Sequence, residues 1–237
     1  MSNTKSGPSE SQAKLDQDSI LLGSEIKNWW VHKVMAPIEA FCLSKKITPD
    51  TITYTGTFLC LICGYLFAAD HILSAGWMVL LIGSLDILDG RIARAIGVSG
   101  PKGAFLDSVM DRYQDFFMMM GVTIFFQNSW IFYVCLLALL GSALVPYTRA
   151  KAESLGVELS EIGAIQRPER FFILGFGSII SSIFQISLMP FYGEHRVPPQ
   201  HILMLVMLIL AGSTNWTAFQ RIRYTIRSIE KGNHENN

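Results

Sequence analysis

Residues 86–111 read DILDGRIARAIGVSGPKGAFLDSVMD, which spaces four carboxylates as D-x2-D-G-x2-A-R-x8-G-x3-D-x3-D inside otherwise strongly apolar sequence. A carboxylate at the centre of a membrane-spanning helix costs about 2.5–3.5 kcal/mol on insertion scales. Four of them in adjacent spans therefore require a strong compensating partner. On a helix Asp86 and Asp89 project about 60° apart on one face, and Asp107 and Asp111 about 40° apart. The stretch between the pairs, Gly97–Gly103 (GVSGPKG), is dense in turn residues. The spacing predicts two antiparallel helices that present both pairs to one cavity.

No His or Cys accompanies these acids, a donor set that favours Mg²⁺ or Mn²⁺ over zinc. Asp86, Asp89, Asp107 and Asp111 are the candidate metal ligands, and four acids suit two ions. Such ions neutralise phosphate charge and clamp the attacking and leaving oxygens of a phosphoryl transfer. Arg94 suits a diphosphate.

Asp86, Asp89, Gly90, Ala93, Arg94, Gly103, Asp107 and Asp111 match every fixed position of the signature of the CDP-alcohol phosphotransferases. The chain resembles that family over a motif far more specific than an isolated glycine pattern. The resemblance implies an all-α integral membrane enzyme with six transmembrane helices preceded by an interfacial amphipathic helix. It implies transfer of a phosphatidyl-type group from a CDP-linked lipid such as CDP-diacylglycerol to an alcohol, with release of CMP, in a homodimer. It also implies that Gly90, Ala93, Arg94 and Gly103 serve CDP-lipid binding, and that Asp111 doubles as general base.

Composition supports the membrane independently: half of the residues are hydrophobic and 16% are charged, against roughly 25% charged in an average soluble domain. Formal net charge is zero, so no nucleic-acid partner is indicated. Apolar runs near residues 51–69, 75–98, 104–126, 130–148, 171–191 and 202–219 each approach the roughly 20 residues needed to span hydrocarbon. The second and third carry the aspartates and fall short on hydropathy alone. With six spans, both termini and the loops near 99–103 and 149–170 share one side, which collects nearly all Lys and Arg; the opposite loops hold only Arg196. The positive-inside rule then places both termini and the active site on the cytoplasmic side.

Residues 1–19 read as a disordered polar tail rather than a signal peptide. Residues 20–46 read as a juxtamembrane segment, with Ile26, Trp30, Val34 and Ile38 recurring every four residues over 24–43 as in an interfacial helix. Lys27 and Pro37 interrupt that pattern. The six-helix domain follows over 47–228, and 229–237 forms a polar C-terminal tail. Pro49-Asp50-Thr51-Ile52-Thr53 opens the first span, with Asp50 at a position where relatives often carry Asn; both residues start helices well. Cys60 and Cys63 form a CxxC inside an apolar span with no second ligand pair, which favours packing or lipid-facing thiols over a redox or zinc site.

A second pattern spans Tyr147-Thr148-Arg149-Ala150-Lys151-Ala152-Glu153 and Gln166-Arg167-Pro168-Glu169-Arg170. On charge alone it reads as a basic loop at the headgroup level. In detail it resembles the corresponding loop of bacterial phosphatidylinositol phosphate synthases and their archaeal counterparts, with Arg149 where Lys is usual and Gln166 where Glu is common. That resemblance implies that Arg149, Arg167, Arg170 and Arg221 bind the phosphate of inositol 1-phosphate, a role suited to the paired charge-assisted bonds of guanidinium. Glycerol 3-phosphate, another polyol phosphate or serine are alternative acceptors. A cation transporter would also use intramembrane acids, but it has no need of Gly90, Ala93, Arg94 and Gly103 at these offsets. Asp115 extends the acidic face by one turn and is expected to pair with Arg112 or a loop arginine. Thr214 and Asn215 are candidates for hydrogen bonds between helices.

Overall fold

The computed structural model describes residues 33, 35–98, 100–159, 163, 166–192 and 199–235. Among them it contains seven α-helices and no strand: α1 (Ala36–Ser44), α2 (Pro49–Ala68), α3 (Ile72–Ala95), α4 (Pro101–Phe125), α5 (Ile131–Ser154), α6 (Arg167–Tyr192) and α7 (His201–Glu235). The chain divides into two units, Met1–Lys46 and Ile47–Asn237. In the first, α1 carries Pro37 in its opening turn, where a missing N–H costs nothing, and Ser44 Oγ donates to Phe41 O at 2.7 Å. Ile26, Trp30 and Val34 lie outside the described residues.

In the second unit the local signals explain the helix ends. Thr48, not Asp50, caps α2: its Oγ1 accepts from the Thr51 N–H at 3.3 Å, and Pro49 fills the first turn beside Asp50. Gly97, at φ 69°, ends α3. Its N–H donates to Arg94 O at 3.3 Å while the Val98 N–H donates to Ala93 O at 3.1 Å, the paired bonds of a Schellman motif. The turn predicted at 97–103 is therefore shorter, because Pro101, Lys102 and Gly103 already belong to α4. At the other end of the unit α7 continues to Glu235, so the expected polar tail begins as helix.

Among the described residues five helices are long and apolar enough to cross a membrane: α2, α3, α5, α6 through Phe191, and α7 through Lys231. The expectation that α3 would fall short is corrected, because only its last third is acidic and the turns before Asp86 are strongly apolar. α4 does not qualify, since Asp107, Asp111, Arg112 and Asp115 lie along its first half. The four cysteines are free, and Cys60, Cys63 and Cys135 are buried as packing thiols.

The long helices pack as α2 on α3, α3 on α6, α6 on α7, α7 on α5, α5 on α4 and α4 on α2, which closes a ring. Glycines allow the closest approaches. A Cβ on Gly121 of α4 would run into the Gly64 backbone of α2, and one on Gly76 of α3 would meet Gly175 O of α6 at 2.8 Å. Small residues of this kind let helices in lipid gain packing without a hydrophobic driving force between them. The two aspartate helices are not an extensive pair of their own; α2 packs on both. Asn215 joins α7 to α5, donating to Leu137 O at 2.8 Å, whereas Thr214 bonds back to Leu210 O of its own helix at 2.7 Å.

Candidate active site

The start of α6 sets the geometry of the site. Gln166 precedes the helix, and its N–H is held by Glu169 Oε2 at 2.8 Å, the backward half of a capping box. This fold-back fixes the first turn, in which Arg167 and Arg170 are three residues apart and share a face. Both reach Asp115 of α4: Arg170 Nη1 lies 3.0 Å from Oδ2 and Arg167 Nε 3.5 Å from Oδ1. Asp115 thus pairs with the loop arginines. Arg112 faces outward, 3.8 Å from Asp111 and bonded to Ser108 O.

Arg167 goes further, into the acids themselves. Its Nη1 donates to Asp86 Oδ2 of α3 at 2.5 Å and stands 2.5 Å from Asp111 Oδ1 of α4, so a single nitrogen touches both aspartate helices. Nη2 donates to Gln114 Oε1 at 2.5 Å, and the guanidinium lies over the Phe171 ring at 4.9 Å. The contact with Asp111 is one of charge, since Asp111 Oδ1 is buried without a hydrogen bond.

The remaining acids complete the group. Asp89 is buried and accepts from Thr53 Oγ1 at 2.9 Å, while Asp107 is exposed at the open end. Asp86 feels the like charges of Asp111, Asp89 and Asp107, so the four carboxylates share one electrostatic neighbourhood although α3 and α4 are not an extensive pair. Among the described residues no three His, Cys, Asp or Glu side chains are gathered as an ion-holding group; Arg167 stands between two of the acids. A hard divalent cation nevertheless fits the donor set: the oxygens are carboxylate, two helices bring them to one nitrogen's reach, and the buried Asp111 Oδ1 has an anionic oxygen to offer.

Gly90 and Ala93 follow on α3, half-buried, with Arg94 exposed beyond them and Gly103 on the first turn of α4. Of the other arginines, Arg149 is exposed and pairs with Glu153 at 2.9 Å. Arg221 is buried and donates to Val145 O of α5 at 2.7 Å. Arg149 and Arg170 both exert their charge on Arg221, so the basic residues form a second neighbourhood adjoining the acids through Arg170 and Arg167.

Sequence reasoning missed Thr53, Gln114 and Phe171. Gln114 is only 1% exposed, accepts from Arg167, and donates to Thr57 Oγ1 of α2 at 3.2 Å. Its signal was present: it sits seven residues after Asp107 and three after Asp111, on the acidic face of α4.

The family model described as CDP-alcohol phosphatidyltransferase matches residues 46–216. A phosphatidylinositol phosphate synthase of Cutibacterium acnes is 33% identical over 207 residues, covering 84% of this chain and 95% of that one. An archaetidylinositol phosphate synthase of Pyrococcus horikoshii is 35% identical over 155 residues, 64% of this chain and 81% of that one. The structure resembles the phosphatidylinositol phosphate synthase of Mycobacterium tuberculosis solved in complex with manganese and citrate, at a TM-score of 0.69 and 27% identity, over 81% of this chain and 88% of that one. The same synthase with CDP-DAG bound gives a TM-score of 0.68. Motif, fold and relatives agree: the chain belongs to the CDP-alcohol phosphatidyltransferase family and is an integral membrane transferase of phospholipid biosynthesis.

Proposed function

We propose that this enzyme transfers the phosphatidyl group of CDP-diacylglycerol to inositol 1-phosphate and releases CMP. The observation that supports the reading is the first turn of α6, which sets two guanidiniums, Arg167 and Arg170, groups suited to phosphate, directly on the acids of α3 and α4. An uncharged acceptor would not require them. The names of the relatives from Cutibacterium acnes and Pyrococcus horikoshii support the same acceptor.

In this reading Asp86, Asp89, Asp107 and Asp111 hold two Mg²⁺ or Mn²⁺ ions, which when bound neutralise the diphosphate and polarise its phosphorus. Gly90, Ala93, Arg94 and Gly103 line the path of the CDP moiety, where small residues leave room and Arg94 meets phosphate oxygen. Arg149, Arg167, Arg170 and Arg221 bind the acceptor phosphate. Asp111 takes the proton from the acceptor hydroxyl as its oxygen attacks the lipid-bearing phosphorus. The bond from that phosphorus to the CMP oxygen breaks, and CMP departs with the electron pair. Gln114 and Thr53 orient their partners.

The organisation follows from the same reading. α4 crosses the membrane as the sixth span of the ring, with Asp111 and Asp115 turned toward α6, and the segment before Ile47 lies in the interface. Residues 47–228 form the catalytic domain, between a polar tail at 1–19 and the C-terminal 229–237. The Lys and Arg bias places the open end of the acid cluster and both termini in the cytoplasm, and the enzyme works as a homodimer.

Purified protein supplied with CDP-diacylglycerol and a panel of acceptors tests the reading by CMP release. Release is expected with inositol 1-phosphate, little with free inositol, and none after chelation. Turnover of glycerol 3-phosphate or serine without turnover of inositol 1-phosphate would move the acceptor assignment. Full activity in chelator would remove the metal from the mechanism.

A further inference from the structure

Arg167 occupies an unusual position for a group that binds acceptor phosphate, because it is already engaged. Its guanidinium bonds to Asp86 and Gln114, lies against Asp111 and Asp115, and rests on Phe171. Two of the four proposed metal ligands are thereby held by one cation that belongs to the chain. A divalent ion brought to these same oxygens would meet the like charge of the guanidinium already seated on them, so the two cations compete for Asp86 and Asp111.

The pairing is also incomplete. Asp111 Oδ1 and Arg167 Nε are both buried without a hydrogen bond. One guanidinium stands against the carboxylates of Asp86, Asp111 and Asp115, so neither charge nor bonding capacity is fully met, and an ion of higher charge that coordinates oxygen directly can take its place. The carboxylates would otherwise repel one another in a region of low dielectric, and Arg167 relieves that repulsion.

We propose that Arg167 is a tethered counter-ion that competes with the divalent metal for Asp86 and Asp111, so that metal loading releases its guanidinium for the acceptor phosphate. This rests on the reading that these carboxylates hold metal. It makes Arg167 a shared element of two binding events, which are then coupled in both directions. The acid cluster never stands without a cation, and the acceptor clamp is complete only once the metal is in place.

The test measures Mn²⁺ affinity of the purified protein in detergent, without nucleotide or acceptor, by titration calorimetry or by the signal of free Mn²⁺ in electron paramagnetic resonance. Arg167→Gln removes the competitor, and Mn²⁺ is expected to bind about 10- to 150-fold more tightly, the range for loss of a competing charge-assisted hydrogen bond. Arg167→Lys keeps the charge but not the two-pronged reach to Asp86 and Gln114, and is expected to fall between the two.

A second measurement reads the side chain itself. Phenylglyoxal modification mapped by mass spectrometry should spare Arg167 of the wild-type protein in chelator and reach it in Mn²⁺. Equal or weaker Mn²⁺ binding by Arg167→Gln, or an Arg167 that reacts no faster in Mn²⁺ than in chelator, would overturn the competition while leaving the metal site standing. Absence of Mn²⁺ binding in all three proteins would overturn the metal reading and the competition with it.

Discussion

Two polar clusters lie along α6, one charged at its start and one neutral past its midpoint. Arg167 and Ser181 are fourteen residues apart on that helix, a rise of about 21 Å. At the charged end Arg167 and Arg170 meet Asp86, Asp111 and Asp115. At the neutral end Ser181 Oγ donates to Gln200 Oε1 at 2.7 Å and accepts the Leu203 N–H at 3.0 Å, while Gln200 Nε2 donates to Gln185 Oε1 at 2.5 Å.

The neutral cluster is closed: it satisfies its own side chains and also an N–H in the first turn of α7 that has no partner within the helix. The charged cluster is open, with Asp111 Oδ1, Arg167 Nε and Arg170 Nε buried without hydrogen bonds. A closed network fixes helices. An open one is poised to rearrange around ions and phosphate.

The largest expected effect lies at the charged end. Asp111→Asn keeps the shape of the side chain but cannot accept the acceptor's proton, and kcat should fall about 10²- to 10⁴-fold. Gln200→Leu, assayed alongside, should leave kcat at the wild-type level. Near-normal turnover by Asp111→Asn would erase the functional difference between the clusters and remove the general base.

The next effect sharpens the boundary of the charged end. Arg149 is exposed and paired only with Glu153 among the contacts seen, and an exposed pair adds about 0–1 kcal/mol of stability. Arg149→Gln should therefore fold normally. If Arg149 joins Arg167 and Arg170 on the acceptor phosphate, its loss should raise KM for inositol 1-phosphate about 10- to 150-fold and leave KM for CDP-diacylglycerol nearly unchanged. Equal changes in both constants would make the 149–170 segment a structural loop.

The charged end was largely legible in the sequence because its residues stand out against apolar surroundings. Asp86 and Asp111, which meet Arg167, stood out by their spacing, and Asp115, which meets Arg167 and Arg170, by the next turn of the same face. What spacing could not show is that α3 and α4 would both pack on α2, or that Arg167 would enter between Asp86 and Asp111. A long side chain chooses among several acids by three-dimensional proximity, which one-dimensional patterns do not encode. The neutral end was not legible at all: Ser181, Gln185 and Gln200 carry no charge and no fixed spacing, and only the packing of α6 on α7 brings them together.

At that neutral end the expected loss is in stability. Gln200→Leu leaves the buried Ser181 hydroxyl proton without the acceptor it has now, and an unsatisfied buried group costs about 1–3 kcal/mol. Thermal unfolding in detergent should show the loss while CMP release at permissive temperature stays normal. A fall in kcat without a fall in melting temperature would mean that the two ends communicate through α6.

Asn215 gives the smallest and most discriminating test, because it is a neutral, satisfied group on α7 six residues before Arg221. Its Nδ2 donates to Leu137 O of α5 and to Ala211 O of its own helix, each at 2.8 Å. If bonding completeness rather than position separates the two clusters, Asn215→Leu should behave like a change at the neutral end. Hydrogen bonds between membrane helices average about 0.6 kcal/mol and reach about 1.7, which for a chain of this size lowers the melting temperature by about 1–7 °C. The neighbouring contacts of α5 with α7, at Gly141 against Thr214, remain to hold the helices together, so kcat should be unchanged. A drop in kcat beyond tenfold with an intact melting temperature would place Asn215 in the catalytic machinery and make position, not charge, the dividing principle.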